Sequence, residues 1–268
     1  MTVELTTVLI NTVSVLVGLC IAVGAMLVIA SKVFKVDTNP LVDDVASLLP
    51  GANCGGCGFA GCAACAEAIV LKGAPINSCP VGGYEVAKQI GAVMGQEVTE
   101  SEKEYPFVRC QGGQTHCVTL FDYEGIEGCK AALMLCDSRK GCTYGCVGLG
   151  TCVRACKFDA LSIGEDGFPH VNKNLCTSCG NCIAACPNGV LTFARESEKV
   201  HVLCRSHAKG KDVKAVCEVG CIGCKKCEKA CPSGAIKVTD FLAEIDRDKC
   251  TGCGTCAEVC PQKAIVVR

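Results

Sequence analysis

Residues 176–193, CTSCGNCIAACPNGVLTF, decide how the rest of the chain is read. The same pattern returns without a gap as CIGCKKCEKACPSGAIKV at 221–238 and CTGCGTCAEVCPQKAIVV at 250–267, and its second half appears as CVRACKFDALSI at 152–163. Self-similarity of this kind marks one structural unit used several times. Each copy reads as a cysteine loop, a short helix and a short strand. The strands are VLTF, AIKV and AIVV, and FPHVN and LAEID stand where their partners would lie. Four units predict two small α+β modules in tandem.

The spacing C-x2-C-x2-C-x3-C-P names the chemistry. Three cysteines on one tight loop can wrap a face of a cuboidal 4Fe-4S cluster, while the fourth, expected to start a helix, points away and serves a second cluster. A tetrahedral zinc site uses two cysteine pairs and needs neither the third loop cysteine nor the proline. The crossed rule assigns Cys221, Cys224, Cys227 and Cys260 to one cluster and Cys250, Cys253, Cys256 and Cys231 to its neighbour. Upstream, Cys176, Cys179 and Cys182 take Cys156, and Cys186 joins Cys142, Cys146 and Cys152. That last set departs from the pattern: its spacing is C-x3-C-x5-C-x3-C, Lys157 replaces the proline, and glycines enlarge the loop GCTYGCVGLGTC.

Composition agrees with inorganic cross-links. The chain has 28 cysteines in 268 residues, no Trp and 4% aromatics, poor material for an aromatic-rich core. A secreted disulfide scaffold would use cysteine as heavily, but the N-terminus argues for the reducing side of a membrane. Residues 8–30 carry no charge, enough to span a bilayer as an uncleaved anchor; the run exceeds a signal-peptide core of about 7–15 residues and lacks a basic leader. Lys32 and Lys35 follow it and nothing basic precedes it, so all that follows is expected in the cytoplasm, with the chain single-pass in the cytoplasmic (inner) membrane.

Five segments follow: an anchor at 1–35, an acidic cluster domain at 36–94, a solvated linker at 95–106, and two modules with N-terminal extensions at 107–200 and 201–268. The acidic domain carries C-x2-C-x4-C-x16-C-P as Cys54, Cys57, Cys62 and Cys79, a fifth cluster site. Its loop NCGGCGFAGC is glycine-rich, which lets backbone N–H groups approach sulfur. No Lys-Ser or Lys-Thr follows these glycines and no dinucleotide fingerprint occurs, so neither direct nucleotide binding nor nucleic acid is expected.

One N-terminal span, the CGGCGFAGC unit, CTYGCVGLGTC and the C-x2-C-x2-C-x3-C-P repeats, in that order, resemble the B subunit of Rnf complexes over essentially the whole chain. The resemblance implies two tandem bacterial-type 2[4Fe-4S] ferredoxin-like modules in a subunit of a membrane ferredoxin:NAD oxidoreductase that couples electron flow to sodium or proton transport. It further implies soluble ferredoxin, the other Rnf subunits and the lipid bilayer as partners. This chain alone could not complete that reaction, since one span makes no ion channel and no dinucleotide fold is present. A ferredoxin-like subunit of another membrane redox complex, of hydrogenase or formate dehydrogenase type, is the alternative.

Five clusters use 20 cysteines. Cys20 lies within the span, and Cys65, one turn after Cys62, reads as packing. Of the six left, FVRC then EGCK precedes one module and HVLC then AVC the other, which suggests a sixth 4Fe-4S cluster on Cys110, Cys129, Cys204 and Cys217, with Cys117 and Cys136 as free thiols. His116 and His207 read as loop histidines. Residues 195–229 hold nine basic and five acidic side chains, a candidate docking face for an acidic carrier.

Overall fold

Apolar, largely β-branched residues occupy the N-terminus, and they form one long helix, α1 (Thr2–Val33), the arrangement that satisfies every backbone group within a single apolar segment. The computed structural model describes residues 2–33, 39–100 and 102–268. The helix includes an 18-residue window, Val13–Ala30, of mean hydropathy 2.8 with no side chain buried in protein. Its 23-residue uncharged run would extend about 35 Å at 1.5 Å per residue, enough for a hydrocarbon core of about 30 Å. The side chains of Lys32 and Lys35, which carry the expected orientation, lie outside the described residues.

The chain forms two compact units, 1–43 and 44–268. Near their junction α2 (Pro40–Leu48) starts with proline at its first position, and the Asn39 side-chain oxygen accepts the Leu41 N–H at 3.1 Å. The acidic domain continues with α3 (Cys62–Lys72) and α4 (Gly83–Met94), ended by Gly73 and Gly95 in the left-handed conformation. Val45, Ile69 and Ile90 are fully buried there.

The repeats fold as expected, with one adjustment. After β1 (Glu104–Val108) and α5 (Cys129–Cys136), the first module runs α6 (Thr151–Arg154), β2 (Leu161–Ile163), β3 (Pro169–Val171), α7 (Asn181–Ala184) and β4 (Leu191–Arg195). The second runs β5 (Val200–Val202), α8 (Gly210–Val216), α9 (Lys226–Ala230), β6 (Ile236–Thr239), β7 (Leu242–Ile245), α10 (Thr255–Glu258) and β8 (Ile265–Val267). The third cysteine of each loop lies inside the short helix, and the fourth follows that helix rather than starting it.

Each module is two antiparallel hairpin-like pairs. FPHVN and LAEID supply β3 and β7, which pair with β2 and β6. The entering strand closes the module on its last strand, β1 on β4 and β5 on β8. Pairing β1 brings Glu104, Tyr105 and Pro106 out of the expected linker into the sheet; Ser101 of that linker lies outside the described residues. Pro106 is tolerated because β1 is an edge strand with one partner. Cysteine makes up half of the first module's core, Cys152, Cys176 and Cys182 with Ala160, Leu161 and Leu191, and a third of the second's, where Cys204, Cys227 and Cys256 pack with residues such as Ile236, Leu242 and Ile265.

Candidate iron–sulfur centres

In the second module the crossed arrangement is visible in side-chain neighbours. Cys227 lies among Cys221, Cys224 and Cys260, and Cys256 among Cys250, Cys253 and Cys231. The first module repeats it: Cys176 neighbours Cys179 and Cys156, and Cys152 neighbours Cys186. Most of these thiols are buried or half-buried, with Cys224 and Cys253 exposed. Burial pushes Cys227 up to about 11 and Cys182 up to about 12, because a thiolate out of water has lost its solvation. Such thiols are poor free nucleophiles and good ligands for a cationic core that removes the proton on binding.

The donor set fits 4Fe-4S clusters on two further observations. Backbone N–H groups point at ligand sulfurs: Gly56 at Cys54 (3.4 Å), Ala160 at Cys156 (3.4 Å) and Ala264 at Cys260 (3.3 Å). Ala160 and Ala264 hold the same repeat position, four residues past the fourth cysteine. Donors of this kind stabilise the added negative charge of a reduced cluster. The thiols of Cys54, Cys57, Cys62 and Cys79 line one cavity, and those of Cys146, Cys152 and Cys186 line another.

In the acidic domain Cys54, Cys57, Cys62 and Cys79 line one small cavity, and Cys65 joins them. Cys65, read from sequence as packing, is 1% exposed, and burial followed by the nearby Cys57 drives its thiol up to about 12. The loop is closed by Asn53, whose side-chain oxygen accepts the Cys62 N–H at 2.8 Å while its own φ is +45°. Sequence reasoning passed over Asn53, although an Asn directly before a cysteine loop that opens a helix is the available signal.

This domain docks on the first module. A Cβ on Gly56 would stand 2.5 Å from the Cys179 carbonyl oxygen, so the two cluster loops touch through backbone. Asn181 donates to the Cys54 carbonyl at 3.1 Å and Lys157 to the Asn53 carbonyl at 3.2 Å. Lys157, in place of a proline, therefore has a contact of its own.

The remaining cysteines are distributed differently from the expectation. Cys110, Cys204 and Cys217 line a cavity of about 160 Å³ at the join of the modules, together with Cys117, Cys142 and Cys146. Cys129 is not among them. Helix α5 places it in a separate cavity with Cys146, Cys152 and Cys186, where its N–H donates to Thr151 Oγ1 at 2.7 Å. Cys142 and Cys129 have thus exchanged the places that spacing alone gives them. Cys117 faces Cys217 in an antiparallel bridge and is held low, chiefly by the Cys217 hydrogen bond. Cys136 donates to the Ala132 carbonyl at 2.9 Å within α5. His116 pairs with Glu218 on the surface, and exposed His207 lies 3.2 Å from the Asp240 carbonyl.

Fold and cysteine pattern together define a multi-cluster 4Fe-4S protein of ferredoxin type. A family model described as "Putative Fe-S cluster" matches residues 49–81, and the "4Fe-4S dicluster domain" matches 141–190, 175–235 and 220–264, overlapping as the repeat requires. The chain is 81% identical over 245 residues to the B subunit of the ion-translocating oxidoreductase complex of Methanosarcina acetivorans, covering 91% of this chain and 93% of that one. It is 43% identical to the B subunit of the Na(+)-translocating ferredoxin:NAD(+) oxidoreductase complex of Acetobacterium woodii (87% of this chain, 69% of that one). It is 44% identical to the proton-translocating counterpart of Clostridium ljungdahlii (90% and 85%). The chain belongs to the family of B subunits of ion-translocating (Rnf) oxidoreductase complexes.

Proposed function

We propose that this chain is the electron-relay subunit of an ion-translocating ferredoxin:NAD+ oxidoreductase, anchored in the cytoplasmic membrane by α1 with its cluster domains on the cytoplasmic side. The observation that carries this reading is the unbroken series of cysteine loops in contact. The acidic domain meets the first module at Gly56 and Cys179, the first module's two ligand sets share Cys152 and Cys182 as neighbours, and the modules meet across the Cys110–Cys204 cavity.

The 4Fe-4S clusters supply one-electron outer-sphere chemistry. Three ligand sets follow the crossed rule without departure, Cys54, Cys57, Cys62 and Cys79 form a fourth, and two further clusters lie at the first module's irregular loop and between the modules, six in all. The chain's own contributions are sulfur ligation, burial of the thiols and the N–H donors at Cys54, Cys156 and Cys260. Soluble ferredoxin docks on the exposed lysines of α8, and other subunits of the complex receive or return the electrons. The relatives from Acetobacterium and Clostridium carry ferredoxin and NAD(+) in their names.

The test uses membranes containing the assembled complex with Cys54→Ala and Cys57→Ala introduced together. Ferredoxin-dependent NAD+ reduction should fall to background while the complex still assembles. An unchanged rate would reject the relay, and loss of hydrogen- or formate-linked activity instead would favour a different redox complex.

A further inference from the structure

Aligned without a gap, the two modules explain the exchange of Cys129 and Cys142. CTYGCVGLGTCVRAC (142–156) and CEVGCIGCKKCEKAC (217–231) agree at every cysteine but one, with Leu149 standing where Cys224 does. Cys142 is therefore the counterpart of Cys217, Cys146 of Cys221, Cys152 of Cys227 and Cys156 of Cys231. The strands agree as well. β1 pairs with β4 and leads to Cys110, as β5 pairs with β8 and leads to Cys204.

The first module thus lacks its middle loop ligand, and α5 brings in another. Cys129 is buried at the cavity that Cys146, Cys152 and Cys186 line. Leu149 packs on the Cys129, Ala132 and Val147 cluster, so the residue that replaced a ligand seats the helix that delivers one. The pairs Cys110/Cys142 and Cys204/Cys217 are then left facing one cavity.

That cavity is built for a cluster. Its wall is glycine where sulfur lies: a Cβ on Gly145 would stand 3.5 Å from Cys110 Sγ and 3.6 Å from Cys142 Sγ, and one on its counterpart Gly220 would stand 3.6 Å from Cys217 Sγ. Ser206 N–H donates to Cys204 Sγ at 3.4 Å. Lys140, 3% exposed, lines the same cavity with its ammonium 5.7 Å from the Phe168 ring; Asp212 lines it too, yet among the described residues Lys140 forms no ion pair. A buried cation outside any ion pair needs negative charge nearby, and a cluster on four thiolates is anionic.

We propose that Cys110, Cys142, Cys204 and Cys217 ligate a 4Fe-4S cluster between the modules, that Lys140 is its buried counter-charge, and that Cys129 completes the set of Cys146, Cys152 and Cys186. This rests on the multi-cluster relay above and assigns its least regular ligands. Cys117, beside Cys217 but without a counterpart in the other module, is a neighbour and not a ligand.

The test counts iron and acid-labile sulfide in the full-length chain purified anaerobically. Paired Cys→Ala changes within one cluster should remove about four irons, and pairs spanning two clusters about eight. The expected losses are about four irons for C129A/C152A and for C142A/C204A, and about eight for C129A/C204A. About eight, eight and four in that order would overturn the exchange while leaving six clusters in place. No loss from C110A/C204A would show that the intermodule cluster does not exist, a failure of the larger reading. Leu149→Cys in the C129A background should restore the lost irons, since it rebuilds the loop that Cys221, Cys224 and Cys227 form; failure of this rescue, with the chain folded by its remaining cluster spectrum, would also overturn the proposal.

Discussion

Gly56 lacks a side chain because Cys179 occupies its place. In Gly56→Ala the new Cβ would meet backbone, which cannot rotate aside, so the acidic domain must shift on the first module. We expect a loss of about 1–3 kcal/mol in denaturant unfolding, typical of overpacking; an unchanged midpoint would mean the loops do not touch. His201 gives a pH signature. It stacks on Phe107 with ring centroids 4.3 Å apart, and its Nε2–H donates to the Glu198 carbonyl at 2.9 Å. Burial, partly offset by that carbonyl, lowers its pKa below the ordinary 6.5. The unfolded chain therefore binds more protons in the window just below 6.5, and stability falls as pH drops through it. His201→Gln should flatten that part of the stability profile relative to the parent; identical profiles would contradict the assignment. At this scale the loop cysteines were legible because ligand spacing is nearly rigid. Cys129 and Cys142 were not, because α5 carries Cys129 to a separate cavity and Leu149 stands where the second module has Cys224, which hides the match of Cys142 to Cys217.

Among the elements, the four short helices and their strands followed from the repeat, since a cysteine loop bound to a cluster leaves little freedom in what surrounds it. Two elements were harder to read. β1 lies at the end of an acidic run and contains a proline, both signals of a linker, and only its register with β4 makes it a strand. α5 is a short apolar stretch whose Met134 and Leu135 remain exposed, so periodicity gave no clear face. Helix α8 carries the docking prediction. Its Lys211 and Lys214, with Lys209 just before it, are exposed, and the same helix contributes Val213 and Val216 to the wall of the intermodule cavity. Reversing Lys209, Lys211 and Lys214 to Glu should slow reduction by ferredoxin roughly 10-fold or more at low ionic strength, with the difference shrinking as salt screens the encounter. Equal rates for parent and variant at low salt would dismiss this face as the dock.

For the whole molecule, the order of parts is anchor, acidic domain, first module, second module, and charged side chains join the two modules. Arg109 reaches Glu244 at 4.0 Å, Arg195 reaches Asp248 at 3.5 Å, and Arg247 bonds the Phe193 carbonyl. The exposed Arg195–Asp248 pair contributes little, and the Phe107–His201 stack and the bond from Gln111 to the Lys263 carbonyl at 2.7 Å add contacts across the same join. Orientation is tested in intact cells: an impermeant thiol reagent applied from outside should leave Cys224 and Cys253, the exposed ligands, unmodified even in iron-starved cells. Labelling there would place the clusters on the wrong side for a cytoplasmic carrier. The most direct test of the central claim is a potentiometric titration of the anaerobically purified chain, followed by electron paramagnetic resonance, with iron counted on the same sample. A relay of six clusters should contain about 24 irons and undergo reversible one-electron reduction at every cluster; a full iron content with clusters that cannot be reversibly reduced would contradict it.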